Sequence, residues 1–185
     1  AYVHNLFTGR IISQPEPNRA TPYHPAHTTA LAGLVNIRGG DNRFYNNLLV
    51  GKGESTTGFG LRVYDARELP LQTGGNVFYN GARPYASETN YDAQPGVDPK
   101  VKVVAEGNRF SLYFDFGSER KPPTTARVTT ARLGKAKIPA LPYENADGSP
   151  VTIDTDYFGN KRNEQSPASG PFEPLGTGPI SFSVW

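Results

Sequence analysis

Asp41-Asn42-Arg43-Phe44-Tyr45-Asn46-Asn47-Leu48-Leu49-Val50-Gly51 decides the reading of the fold, because the chain returns to this stretch in altered form. Asn76-Val77-Phe78-Tyr79-Asn80 matches Asn42 to Asn46 at four of five positions, and the offset of 34 residues also sets Glu54 over Glu88. Gly-Gly precedes both copies, at 39–40 and 74–75. A looser copy comes first: His4-Asn5-Leu6-Phe7-Thr8-Gly9 reads against Asn46 to Gly51 with three identities in six and two apolar replacements. Short β-forming segments that recur every few tens of residues, each followed by Asn or Gly, are the sequence pattern of a parallel β-helix. In such a coil an Asn at the corner can hydrogen-bond the backbone of its neighbours. A chance pair of short strands in an ordinary all-β domain is the alternative.

Composition agrees with many short strands. The 185 residues hold 36% hydrophobic residues, 20 Gly and 17 Pro, poor in core formers and rich in turn formers. A formal net charge of +2, with no long basic block, gives no footprint for nucleic acid. No apolar run approaches the length of a membrane span. Without cysteine, disulfides, thiol nucleophiles and Cys-based zinc sites are excluded. Methionine is absent even at position 1, and the chain opens on the apolar segment Tyr2 to Phe7, whereas repeat proteins open on a polar cap. Residue 1 is therefore expected to lie inside a longer polypeptide, or to follow a processing point, with a neighbour covering the first coil.

Residues 1–12 read as one strand. Pro15, Pro17, Pro22 and Pro25 then predict a long loop without regular structure, which carries His24 and His27. Residues 30–38, 42–50, 61–65 and 76–80 read as strands, and the 42–50 segment alternates loosely enough to be buried on both faces. Beyond a polar linker ending at Pro99 the texture changes. Val101 to Ala105 and Arg109 to Phe116 flank Glu106-Gly107-Asn108 as an antiparallel hairpin, with a break at Pro122-Pro123 and a further strand over 126–133. Ile180, Phe182 and Val184 alternate inward in a closing strand, with Trp185 read as a core residue. Two regions follow: residues 1–99, the coils with their long loops, and 100–185, an antiparallel region packed on the coil end.

Taken together, His4-Asn-Leu-Phe-Thr-Gly-Arg10, Arg19-Ala-Thr-Pro-Tyr-His24, Ala26-His-Thr-Thr29, Gly40-Asp-Asn-Arg-Phe-Tyr-Asn-Asn47, Gly75-Asn-Val-Phe-Tyr79 and Ile153-Asp-Thr-Asp-Tyr-Phe-Gly159 carry a resemblance. The chain resembles the C-terminal part of bacterial right-handed parallel β-helix glycoside hydrolases, such as the β-xylosidases of family 120. The resemblance implies an all-β fold, the end of a right-handed parallel β-helix followed by antiparallel strands. It also implies an oligosaccharide substrate, no cofactor, a periplasmic or secreted setting, and an N-terminal remainder of the same polypeptide as the structural partner. Nucleic acid and membrane are not expected partners.

Such an enzyme retains anomeric configuration with an Asp nucleophile and a Glu acid/base. Their carboxyls stand roughly 5–5.5 Å apart, a spacing that adjacent rungs about 4.7–4.9 Å apart can supply. By the resemblance, the catalytic pair belongs to coils before residue 1. Within the chain, Asp41 and Glu88 are the candidate catalytic carboxylates, each at a turn on the repeated coils; a turn Asp and a solvated Glu are the plainer readings. His24, His27 and Arg43 are candidate sugar-hydroxyl ligands, since imidazole and guanidinium give directional hydrogen bonds. As a metal site the His24/His27 pair is weak, because Pro25 blocks helical presentation. Two other classes fit an all-β chain: a carbohydrate-binding module stacking sugars on Tyr85, Tyr91 or Trp185, and a polysaccharide lyase, since fold alone does not fix chemistry.

Overall fold

The computed structural model describes residues 1–53, 57–117 and 123–185. Glu54, paired with Glu88 by the sequence offset, and Pro122 lie outside the described residues. The architecture is nearly all β and resembles a region of a β-helix. The first coil consists of β1 (Tyr2–Val3) and β2 (Leu6–Phe7), two short strands with a corner between them instead of one strand. The chain then leaves the stack as an antiparallel arm, β3 (Glu16–Tyr23) and β4 (Gly33–Ile37). This corrects the expectation of an irregular proline loop. In a two-stranded arm each strand is an edge, so Pro17 and Pro22 can turn their missing N–H away from the partner, and the pairing slips between Glu16 and Ala20.

The second coil is β5 (Arg43–Tyr45) and β6 (Leu48–Val50), the third is β7 (Gln72–Gly74) and β8 (Asn76–Tyr79), and β9 (Tyr91–Gln94) closes the stack. Strands stack in parallel as two ladders, β1-β5-β7 and β2-β6-β8-β9. Leu6 pairs with Leu48, Leu48 with Val77 and Val77 with Asp92, so successive repeats are 42, 29 and 15 residues. The looser copy therefore has the observed register, and the offset of 34 is overturned: residues 43–45 and 76–79 lie in different ladders. Both segments end on an Asn in left-handed backbone, Asn46 and Asn80 (φ 55° and 49°), and similar corners wrote similar sequence on different sides of the coil.

The corner between the two ladders repeats faithfully. His4, Asn46 and Gly75 occupy it in successive coils at φ 56°, 55° and 71°. Glycine suits the third position, since a Cβ at Gly75 would collide with the Asn46 Oδ1 and force that buried side chain to shift. Phe44, Leu49 and Phe78 fill the coil interior with Leu71, Leu61 and Tyr64. The last two flank or belong to a 3-10 turn (Arg62–Tyr64), where a strand had been expected. Leu48, Val50, Val77 and Tyr79 point the other way and are buried too, so the loose alternation did mean two covered faces.

What covers that outer face is the C-terminal region. Strands β10 (Lys102–Glu106) and β11 (Arg109–Asp115) form the expected hairpin. The next segment is a strand only through β12 (Val128–Thr129), because the Thr129 hydroxyl then accepts from the Arg132 N–H and starts α1 (Thr130–Leu133). β13 (Thr152–Ile153) pairs with β12, and β14 (Pro179–Ser183) closes the sheet in the order β10-β11-β14. Leu112, Phe114, Phe116, Phe172 and Leu175 meet the coil side chains in one cluster. Among the described residues no helix is long and apolar enough to cross a membrane.

Candidate functional site

The second coil begins at a tight corner. Gly40 is held at φ 92° against the next rung, where a Cβ would collide with the Leu69 carbonyl oxygen, and Asp41 follows at φ 56°. The Asp41 carboxylate accepts from Arg43 Nη1 at 2.6 Å through one oxygen and from the Lys137 N–H at 2.7 Å through the other. Arg43 is completely buried, with Nε donating to the Leu133 carbonyl at 2.9 Å, Nη2 to the Lys135 carbonyl and Nη1 also to the Asp41 carbonyl. Its guanidinium also faces the Tyr143 ring, 4.9 Å from the centroid. A buried charge is tolerable only when paired and hydrogen-bonded. Here the pairing straps residues 133–137 onto the coil.

A cleft of about 540 Å³ opens between the arm and this corner, bordered by Tyr2, Tyr23, Asn36, Asp41, Tyr64 and Ile138 among others. Burial pushes the Tyr64 hydroxyl above its ordinary range, so it is a neutral donor at physiological pH. Asp41 keeps acceptor capacity beyond its two bonds. Aromatic faces beside a few fixed polar groups are suited to a sugar ring.

Glu88 sits elsewhere, at the end of a ladder of buried amides. Asn47 Oδ1 accepts from the Asn5 N–H and Nδ2 at 2.9 and 3.1 Å. Asn76 Oδ1 accepts in turn from the Asn47 N–H and Nδ2 at 2.9 and 3.0 Å. The Asn76 Nδ2 then donates to Glu88 Oε1 at 2.7 Å and to the Phe44 carbonyl at 2.8 Å. Every amide donates toward the C-terminal rung, so the row must end on an acceptor, and the carboxyl supplies it. Glu88 is 5% exposed. Burial pushes its carboxyl up to about 7, against the opposing effect of the Asn76 bond, and Oε2 is buried with no hydrogen-bond partner among the described residues.

The histidines divide differently again. His24 Nδ1 bonds the Ala30 carbonyl at 2.9 Å within the arm tip, and His27 Nε2 meets Glu144 Oε1 at 2.8 Å, tying the tip to the C-terminal region. His4, which the sequence did not single out, is a corner residue. Its Nδ1–H donates to the Ala168 carbonyl at 2.9 Å, leaving Nε2 to accept from Asn46 Nδ2 at 3.2 Å. Burial, reinforced by Arg162, depresses its pKa to about 3. Of the five candidates, then, Asp41 and Arg43 are brought together beside a cleft, while among the described residues Glu88 shares no hydrogen-bond partner with either. Among the described residues no cluster of three or more His, Asp or Glu is arranged to hold a metal. The cleft tyrosines went unpredicted, because they come from the first coil, the arm and a 3-10 turn and share no sequence pattern.

No protein-family model matches the chain, and no curated protein matches it. Among solved structures, "The complex structure of XylC with xylose" aligns with 100% of this chain at a TM-score of 0.92 and 29% sequence identity. The chain spans 32% of the length of that protein.

Proposed function

We propose that this chain forms the closing coils and cover of a glycoside hydrolase that removes terminal xylose-like sugars from plant-wall oligosaccharides by a retaining, two-carboxylate route. The observation that carries the reading is the alignment of the whole chain with XylC, a protein solved with xylose. The motifs quoted above favour a right-handed β-helix enzyme of the β-xylosidase family 120 type. β1 and β2 form the outer members of their ladders, and the coil-interior ring of Tyr2 is 42% exposed. Both features suit further coils stacked on that edge, where this reading puts the nucleophile and the acid/base. Asp41 and Glu88 then act as a strap and a ladder end, since each is committed to holding its own coil.

The test is hydrolysis of an aryl β-xyloside by a polypeptide extended through the preceding coils, with the anomer of the first product followed by NMR. Release of β-xylose supports the reading; unsaturated product from a uronate polymer, with the xyloside untouched, replaces it by a lyase. In the same enzyme Asp41→Asn and Glu88→Gln are expected to leave turnover within a few-fold. A loss of several orders of magnitude in either would make that residue catalytic after all.

A further inference from the structure

The three-stranded sheet β10-β11-β14 turns one face to the core, through Leu112 and Phe114 with Ile180, Phe182 and Val184 packed against them. Strand alternation gives the opposite face Ser111 and Tyr113 on β11 and Ser181 and Ser183 on β14, and Trp185 continues it two residues beyond β14, where its carbonyl still accepts from the Phe110 N–H at 2.9 Å. The register fixes their order: Tyr113 pairs with Ser181, and Ser111 with Ser183. The backbone positions that carry the two rings thus stand about 13–14 Å apart along the sheet, four residues of extended chain, with the paired Ser111 and Ser183 between them. Trp185, expected in the core, is 82% exposed. Tyr113 is held in place by Lys102, whose Nζ lies 5.2 Å from its ring centroid.

The charges on this face cancel. Lys102 and Arg109 are balanced by Glu106, which pairs with Arg109, and by Asp115 at the end of β11. Such a surface attracts neither a polyanion nor a polycation. At its centre the apolar residue is Val104, which pairs with Ser111, less than the continuous apolar centre of a protein interface. A neutral polyhydroxylated chain is complementary to it: sugar C–H faces stack on rings, and hydroxyls exchange hydrogen bonds with serines. We propose that the outer face of β10-β11-β14 is a second sugar-binding surface, apart from the cleft under the arm, that takes an extended neutral glycan laid across Tyr113 and Trp185. The choice of a xylan-type chain as occupant rests on the proposed function above.

Affinity electrophoresis of the 185-residue chain through gels containing soluble arabinoxylan or polygalacturonate tests this. The wild type is expected to be retarded by arabinoxylan. Loss of both rings in Tyr113→Ala/Trp185→Ala weakens the association by roughly tenfold or more, while Tyr113→Phe, which keeps the ring, retains it. Equal retardation of the double variant, no retardation of the wild type, or stronger retardation by polygalacturonate overturns the proposal. Turnover of a soluble aryl β-xyloside by the extended enzyme is expected to be unchanged by the double substitution. Absence of that turnover in the wild type would count against the hydrolase reading alone, with the gel still deciding the surface.

Discussion

In the coil stack, the row that ties one rung to the next is a line of amides, Asn5, Asn47 and Asn76, ended by Glu88. In the C-terminal cover the equivalent work falls to rings: Phe172 stacks on Phe182 at 4.1 Å, on Phe158 at 5.5 Å and on Phe114 at 6.0 Å. Ring packing has preferred geometries but is less directional than a hydrogen bond and tolerates a volume-conserving exchange. An amide row is directional, since both ends of each side chain are used and a removed member strands its neighbours in a dry interior. The coils are thereby specified in register, whereas the cover is specified mainly in volume.

The largest expected effect sets these two rows against each other. Asn47→Leu leaves the Asn5 N–H and the Tyr2 carbonyl without their side-chain partner and takes from the Asn76 Oδ1 one of its two donors, the Asn47 N–H remaining, at a cost on the order of 3–5 kcal/mol. Phe172→Leu costs about 1–2 kcal/mol. Urea denaturation of both at pH 7 checks the ordering, and equal losses would erase the distinction.

Next in size is the pH dependence of the ladder end. Glu88 has a folded pKa raised from 4.5 to about 7, so its contribution to stability is full below pH 4.5 and is lost as pH rises to about 7. Glu88→Gln should therefore be more stable than wild type at pH 8 by on the order of 2–3 kcal/mol, and alike at pH 4. His4 works in the opposite sense: with its pKa depressed from 6.5 to about 3, its contribution is full above pH 6.5 and fades as pH falls toward 3. Between pH 4.5 and 6.5 the two nearly cancel in wild type. Thermal melts of Glu88→Gln across that window should accordingly show an acid-side decline that wild type lacks. The smallest effect is on the exposed cover: Trp185→Ala changes stability by no more than about 0.5 kcal/mol.

Much of the fold is legible in the residues, though in the weaker of the two matches. Asn5-Leu6-Phe7, Asn47-Leu48-Leu49 and Asn76-Val77-Phe78 are the true rungs, each preceded by a left-handed residue. The more identical pair, 42–46 and 76–80, misled because one strand in each ladder, β5 and β8, carries Phe-Tyr and ends on an Asn in left-handed backbone. The hairpin 102–115 and the inward set Ile180, Phe182 and Val184 could be read from alternation. Tertiary context decided the rest: pairing turned the proline segment into an arm, and the buried acceptor that ends the ladder, Glu88, looked like any loop glutamate.

The central claim is the stacking of Asn47 on Asn76, and side-chain amide NMR of the folded chain tests it most directly. Cross-peaks from the Asn47 Nδ2 protons to Asn76, together with slow exchange of the Val77 amide that donates to the Asn47 carbonyl at 2.8 Å, are the predicted result. Cross-peaks joining Asn42 to Asn76 in their place, with a fast-exchanging Val77 amide, would contradict it.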